Sequence, residues 1–118
     1  MKIMIPVDED KRSVCVSFAR APYWLVHDSE ADTTEAVENP AAQAEGGAGP
    51  KAAQFVLDME ADAVITVRCG ENAGKVLQAG EVAIYKNQGN DGMENIALLL
   101  NGKLEKLDHF HAGFHGHQ

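Results

Sequence analysis

Cys69 closes the apolar, β-branched start of "ITVRCGENAG" (Ile65 to Gly74), and a glycine and a helix-like segment follow it. Such a corner admits several chemistries. Gly70 at the cap would leave the amides of Glu71, Asn72 and Ala73 pointing past the strand end, where they favour an anion. The same amides would lower the pKa of a thiol at Cys69 and favour its thiolate. Soft thiolates suit copper, iron or molybdenum–sulfur centres. A plain strand-to-helix corner with a buried cysteine is the bland alternative. "RCGENAG" is neither G-x-G-x-x-G nor a P-loop, and no acidic residue closes a following strand to hold a ribose, so a dinucleotide site is disfavoured.

Cys15 lies in "SVCVSFARAP", a longer connection than a simple turn needs. Its sulfur could face Cys69 as metal ligand, redox partner or bystander. Two thiols without C-x-x-C are a weak signal for zinc, which usually takes four ligands. Arg20 and Arg68 can give charge-assisted hydrogen bonds to an anionic cluster, or pair as solvated side chains with surplus carboxylates. His109, His111, His115 and His117 alternate along the glycine-containing end of the chain, a spacing that can chelate nickel, copper or zinc. His27, Tyr23 and Trp24 read as packed or surface residues of a strand. Two-metal phosphoryl chemistry needs converging carboxylates, and "AVITVRC" supplies none.

The chain's totals narrow the field further. A chain of 118 residues is most simply one domain, large enough for a core without disulfide or metal staples. Its two cysteines are then expected as thiols. A formal net charge of -8 argues against nucleic-acid backbones and anionic membranes as partners, although a small anion can still be held by local amides. There is no apolar run of ~18 residues and no signal-peptide pattern, and the expected location is cytoplasmic.

These residues need elements to position them. Lys2 to Val7 reads as a buried strand, and Tyr23 to Asp28 and Thr33 to Glu38 as a hairpin turning at Ser29 to Asp32. Asn39 to Pro50, rich in glycine and proline, is a loop, and Gly49 and Pro50 open a helix running to Glu60. Its stripe is Ala52, Phe55, Val56 and Met59. Ala63 to Val67 has no polar face and should be a central strand. Glu71 to Ala79 is a helix with Ala73, Val76 and Leu77 inward, ended by Gly80. Val82 to Tyr85 reads as a buried strand, with Ile65 and Ile84 shielded from solvent. The last helix, Asp91 to Asn101, starts with a capping box of Asp91 and Glu94 and turns Met93, Ile96, Ala97 and Leu100 toward the core.

The order β-β-β-α-β-α-β-α is a single α/β domain, residues 1–107, followed by a flexible histidine-bearing tail, 108–118. Right-handed crossovers predict a five-stranded mixed sheet in order 3-2-1-4-5 with only the second strand antiparallel, the ribonuclease-H-like arrangement. This topology sends Asp8 to Pro22, Asn39 to Pro50, Arg68 to Glu71 and Lys86 to Asp91 to one edge. Ligands of open α/β sheets bind there, beyond the carboxyl ends of the strands.

Taken together, "MKIMIPVDED", "FARAPYWLVHD", "VENPAA", "GAGPKAAQFVLDMEADAVIT" and "CGENAGKVLQAGEVAIY" resemble the dinitrogenase iron–molybdenum cofactor biosynthesis family, from Met1 to about Leu107. That family includes carriers of nitrogenase cofactor assembly and a protein holding a molybdenum–copper sulfide cluster. The resemblance implies a ribonuclease-H-like fold without nuclease activity. It also implies binding of a metal–sulfur cluster, of iron–molybdenum or molybdenum–copper type, without catalysis, in exchange with cofactor-assembly or acceptor proteins. On matching positions it points to Arg20-Ala21-Pro22, Asn39-Pro40, Gly47 to Pro50, and Cys69-Gly70 with Asn72-Ala73. Many members carry a histidine and a glycine where this chain has Ser17 and Ala19, so Cys15 or another group would replace that histidine. The candidate cluster contacts are therefore Cys15, Ser17, Arg20, Asn39, Gly47, Gly49, Arg68, Cys69, Gly70, Glu71, Asn72 and Ala73. A regulatory or scaffold domain without a cluster, and a small thiol-dependent transfer enzyme using Cys69, are the rival functions.

Overall fold

The computed structural model describes residues 1–107. Eight elements follow in the predicted order. They are β1 (Lys2–Val7), β2 (Tyr23–Asp28), β3 (Thr33–Glu38), α1 (Ala48–Asp58), β4 (Ala63–Thr66), α2 (Glu71–Ala79), β5 (Ala83–Lys86) and α3 (Gly92–Leu100). They build one five-stranded sheet in order β3-β2-β1-β4-β5. β2 runs antiparallel to both its neighbours, while β1, β4 and β5 are parallel.

Alternation along β1 divides the core into two layers, because successive side chains of a strand leave opposite faces. Met4 joins Val26, Val64 and Ile84 beneath α1 and α2, through Ala52, Val56, Ala73 and Leu77. Ile3, Ile5 and Val7 join Leu25 and Ile65 beneath α3, through Ile96 and Leu99. The result is two helices on one face of the sheet and one on the other.

Three expectations need correcting. Helix α1 begins at Ala48, ahead of Pro50, because Gly47 takes the left-handed conformation (φ 65°) that turns the loop into the helix. Strand β5, at the edge where the predicted order puts it, starts at Ala83 rather than Val82 and is less buried than expected, with only Ile84 of its four residues buried. Ile84 stays shielded because the chain after α3 returns along this edge. The Lys86 amide donates to the Glu105 carbonyl (2.9 Å) and the Leu107 amide to the Ile84 carbonyl (2.8 Å). Finally, α3 is rotated from its expected face. Gly92, Asn95, Ile96 and Leu99 point inward, whereas Met93, Ala97 and Leu100 are exposed.

The rotation has a polar cause. Asn95 is fully buried, and its side chain donates to the carbonyls of Gln88 (3.0 Å) and Asp91 (2.9 Å) and accepts from the Gln88 amide (2.7 Å). A buried amide so satisfied holds its helix in one register, and an apolar count cannot register that constraint. No helix among the described residues is long and apolar enough to cross a membrane.

Candidate functional site

Four connections meet at the edge beyond the carboxyl ends of β1, β4 and β5. The first loop is tied down on both sides. The Cys15 amide donates to the Pro6 carbonyl (2.8 Å), the Val14 amide to the Asn90 carbonyl (2.8 Å), and the Gly92 amide to the Arg12 carbonyl (2.8 Å). Asn39 fastens the other end. Its side-chain amide donates to the carbonyls of Ala19 (3.0 Å) and Ala21 (2.8 Å) while its oxygen accepts from the Ala41 amide (3.0 Å). Asn39 is thus buried and spent on holding two loops together.

Between the first loop and the amino ends of α1 and α2 lies a cleft of about 390 Å³, lined by Val16, Ser17, Phe18, Ala19, Gly49, Arg68, Gly70 and Ala73. A Cβ at Gly49 would lie 3.6 Å from that of Ala73, an ordinary contact, so the two helix ends approach to within one small side chain of each other. Neither helix end has a side-chain cap. The first intrahelical bonds are Lys51 amide to Gly47 carbonyl and Gly74 amide to Gly70 carbonyl. The amides of Ala48, Gly49, Glu71, Asn72 and Ala73 therefore precede any helical acceptor, and they carry the positive end of each helix dipole.

Arg68, exposed, adds a full charge to the rim. Arg20 does not line the cleft. Its guanidinium donates to the Ala42 carbonyl (3.2 Å), and its amide donates to the Ser17 hydroxyl (2.9 Å), which fixes the Ser17 turn. Phe18 packs edge-to-face on Trp24, with ring centroids 5.3 Å apart and planes at 81°. The Trp24 indole nitrogen is fully buried and finds no hydrogen-bond partner among the described residues.

The thiols behave differently from the expectation of an activated cysteine. Both are free. Cys69 is 1% exposed within the core beneath α1 and α2, and that burial pushes its pKa up to about 12. The amides of α2 do not compensate, because the sulfur sits in apolar packing, where the charged form loses its solvation. Cys15 is half-buried, and its pKa too is raised, first by burial, against an opposing hydrogen bond from the Ser17 amide. Neither sulfur lines the cleft. A nucleophilic role for Cys69 has no support in this environment.

Of the twelve candidate contacts, Ser17, Gly49, Arg68, Gly70 and Ala73 line the cleft itself. The other seven do not line it: Arg20 and Asn39 line a second hollow, with Pro22, Tyr23 and Glu38, while Gly47, Cys69, Glu71 and Asn72 flank the helix ends in the chain and Cys15 lies one residue before Val16. Sequence reasoning missed Val16 and Phe18, although two bulky apolar residues inside a long loop were the available signal. Among the described residues, no group of three or more His, Cys, Asp or Glu is placed to hold a metal ion. His109, His111, His115 and His117, with the expected flexible tail, lie outside the described residues.

The fold and cleft define a class: a small α/β domain with an open cleft at two uncapped helix ends and no assembled metal-ligand set among the described residues. The chain belongs to the dinitrogenase iron-molybdenum cofactor family, whose pattern matches residues 1–102. It is 30% identical over 111 residues to an uncharacterized protein of Methanocaldococcus jannaschii, covering 92% of each chain. A solved structure from Thermotoga, of a proposed NifB protein, is 33% identical, with a TM-score of 0.77 over 92% of this chain and 95% of that one. The apo form of the orange protein from Desulfovibrio gigas shares the fold, with a TM-score of 0.82 at 24% identity over 90% of this chain and 92% of that one.

Proposed function

We propose that the cleft between the first loop and the amino ends of α1 and α2 holds an anionic metal–sulfur cluster as cargo, without catalysing its conversion. The observation that carries this reading is the convergence of two uncapped helix ends and Arg68 on one cleft, in a chain whose net charge of -8 would otherwise repel anions. Membership of the dinitrogenase iron-molybdenum cofactor family supports an iron–molybdenum sulfide as the cargo type.

The donor set indicates how it is held. Amide and guanidinium donors are matched to the terminal sulfides of a cluster that arrives complete, whereas thiolate ligation by Cys69 would require its burial to be undone. Val16 and Phe18 add an apolar side to the cleft opposite these donors. Tight but ligand-free binding also suits a carrier, since release to an acceptor protein breaks no metal–protein bond.

Titration with tetrathiomolybdate, a soluble molybdenum–sulfide anion, tests the reading. Saturable quenching of Trp24 by energy transfer to the bound, strongly absorbing anion, with amide shifts at Ser17, Gly49 and Gly70 to Ala73, is the expected result. Arg68→Ala should weaken binding about tenfold, and replacing both Cys15 and Cys69 with serine should leave the stoichiometry unchanged. Shifts confined to the outer helix faces would rule the cleft out.

A further inference from the structure

Helices α1 and α2 turn polar residues outward, Lys51, Gln54 and Asp58 on one and Glu71, Lys75 and Gln78 on the other. α3 does not. Its outward side carries Met93, Ala97 and Leu100, with Glu94 as the helix's one charged residue. Met93 is 38% and Leu100 47% exposed, and seven residues apart they share one shoulder of the helix. A helix that is apolar on more of its circumference than its own sheet covers is built for a second cover.

The shape and charge of this face specify that cover. Beside the Met93–Leu100 ridge lies a hollow of about 500 Å³, lined by Glu94, Ala97, Leu98, Asn101 and Lys103. Ridge and hollow adjoin at Ala97, whose small side chain permits a close helix crossing. Glu94 stands at one end of the hollow and Lys103 at the other. A two-fold copy laid antiparallel would seat each ridge in the other's hollow and bring each Glu94 toward the partner's Lys103, the self-complementarity of an isologous contact. We infer that the outer face of α3 is a homodimer interface, with a second copy of this chain as its occupant. The cleft lies on the opposite face of the sheet and stays open in such a dimer.

Sedimentation velocity on the full chain, from low micromolar to several hundred micromolar, tests the inference. A reversible monomer–dimer transition is expected. Leu100→Glu should abolish it across this range while leaving the circular dichroism unchanged. Lys103→Glu should loosen the dimer about tenfold, because each charge pair occurs twice across a two-fold axis, and adding Glu94→Lys should restore it. A chain that remains monomeric throughout would overturn the proposal. A dimer indifferent to Leu100→Glu would place the contact elsewhere and overturn it equally.

Discussion

The amino ends of α2 and α3 lie at the same edge of the sheet and are finished in opposite ways. At α3 the Asp91 carboxylate accepts from the Glu94 amide (2.9 Å) and pairs with the Arg12 guanidinium. At α2 the cap is Gly70, extended (φ -68°, ψ 159°), with open space where a side chain would stand. One helix end is closed by its own sequence and serves structure. The other leaves its first amides to solvent and forgoes the stability that a side-chain cap adds. The lesson is that two missing caps side by side, more than any side chain there, are what support the proposed site.

The sharpest way to break this contrast is through Cys69, which immediately precedes the open end. If the helix dipole dominated burial, the thiol would be reactive. With its pKa pushed up to about 12, the thiolate fraction at pH 8 is roughly one part in ten thousand. Alkylation of the native chain at Cys69 should therefore run at least a hundredfold slower than in the unfolded chain. Rapid native labelling would sink the burial reading. The sign of the pH dependence follows. A thiol raised from 9.0 to about 12 on folding contributes stability that is complete below pH 9 and is lost as pH rises from 9 through 12.

Gly92 provides the next effect, at the closed end. A Cβ there would lie 2.7 Å from the Arg12 carbonyl and 2.8 Å from a Leu25 methyl. Backbone cannot yield as a flexible side chain does, so Gly92→Ala should cost roughly 2–3 kcal/mol in chemical denaturation. An unaffected midpoint would show that the first loop is not seated on α3 as described.

Gly70→Asp converts the open end into a closed one. The backbone there already has cap geometry, so the variant should be slightly more stable by itself, by a few tenths of a kcal/mol. Its carboxylate would compete for the α2 amides and repel the anion, lowering tetrathiomolybdate affinity about tenfold. Unchanged affinity would remove α2 from the proposed cradle.

The smallest effect is expected from opening the closed end. Asp91→Ala should lower the melting temperature by a few degrees without altering anion affinity. Arg12 first, then the Glu94 amide, holds the Asp91 carboxyl below its usual pKa of 3.8. Its contribution is complete above that value and fades as pH falls through the depressed one. A loss of anion binding in this variant would mean that the two helix ends are coupled through the first loop.

By itself the sequence determined the element order, the strand order and the edge at which the loops gather. Apolar period and crossover handedness are local or topological rules that need no knowledge of partners. It also contained Asp91 as a cap and the amides after Gly70 as free helix-end donors, since both follow from neighbours in the chain. Only the tertiary structure decided which way α3 faces, because that depends on Asn95 being buried and satisfied by the backbone of the turn leading into the helix. Tertiary structure likewise decided that Asn39 ties loops together and that Cys69 is silent. A thiol's acidity and an amide's partners depend on what packs around them, and packing at these positions comes from residues far away in the chain.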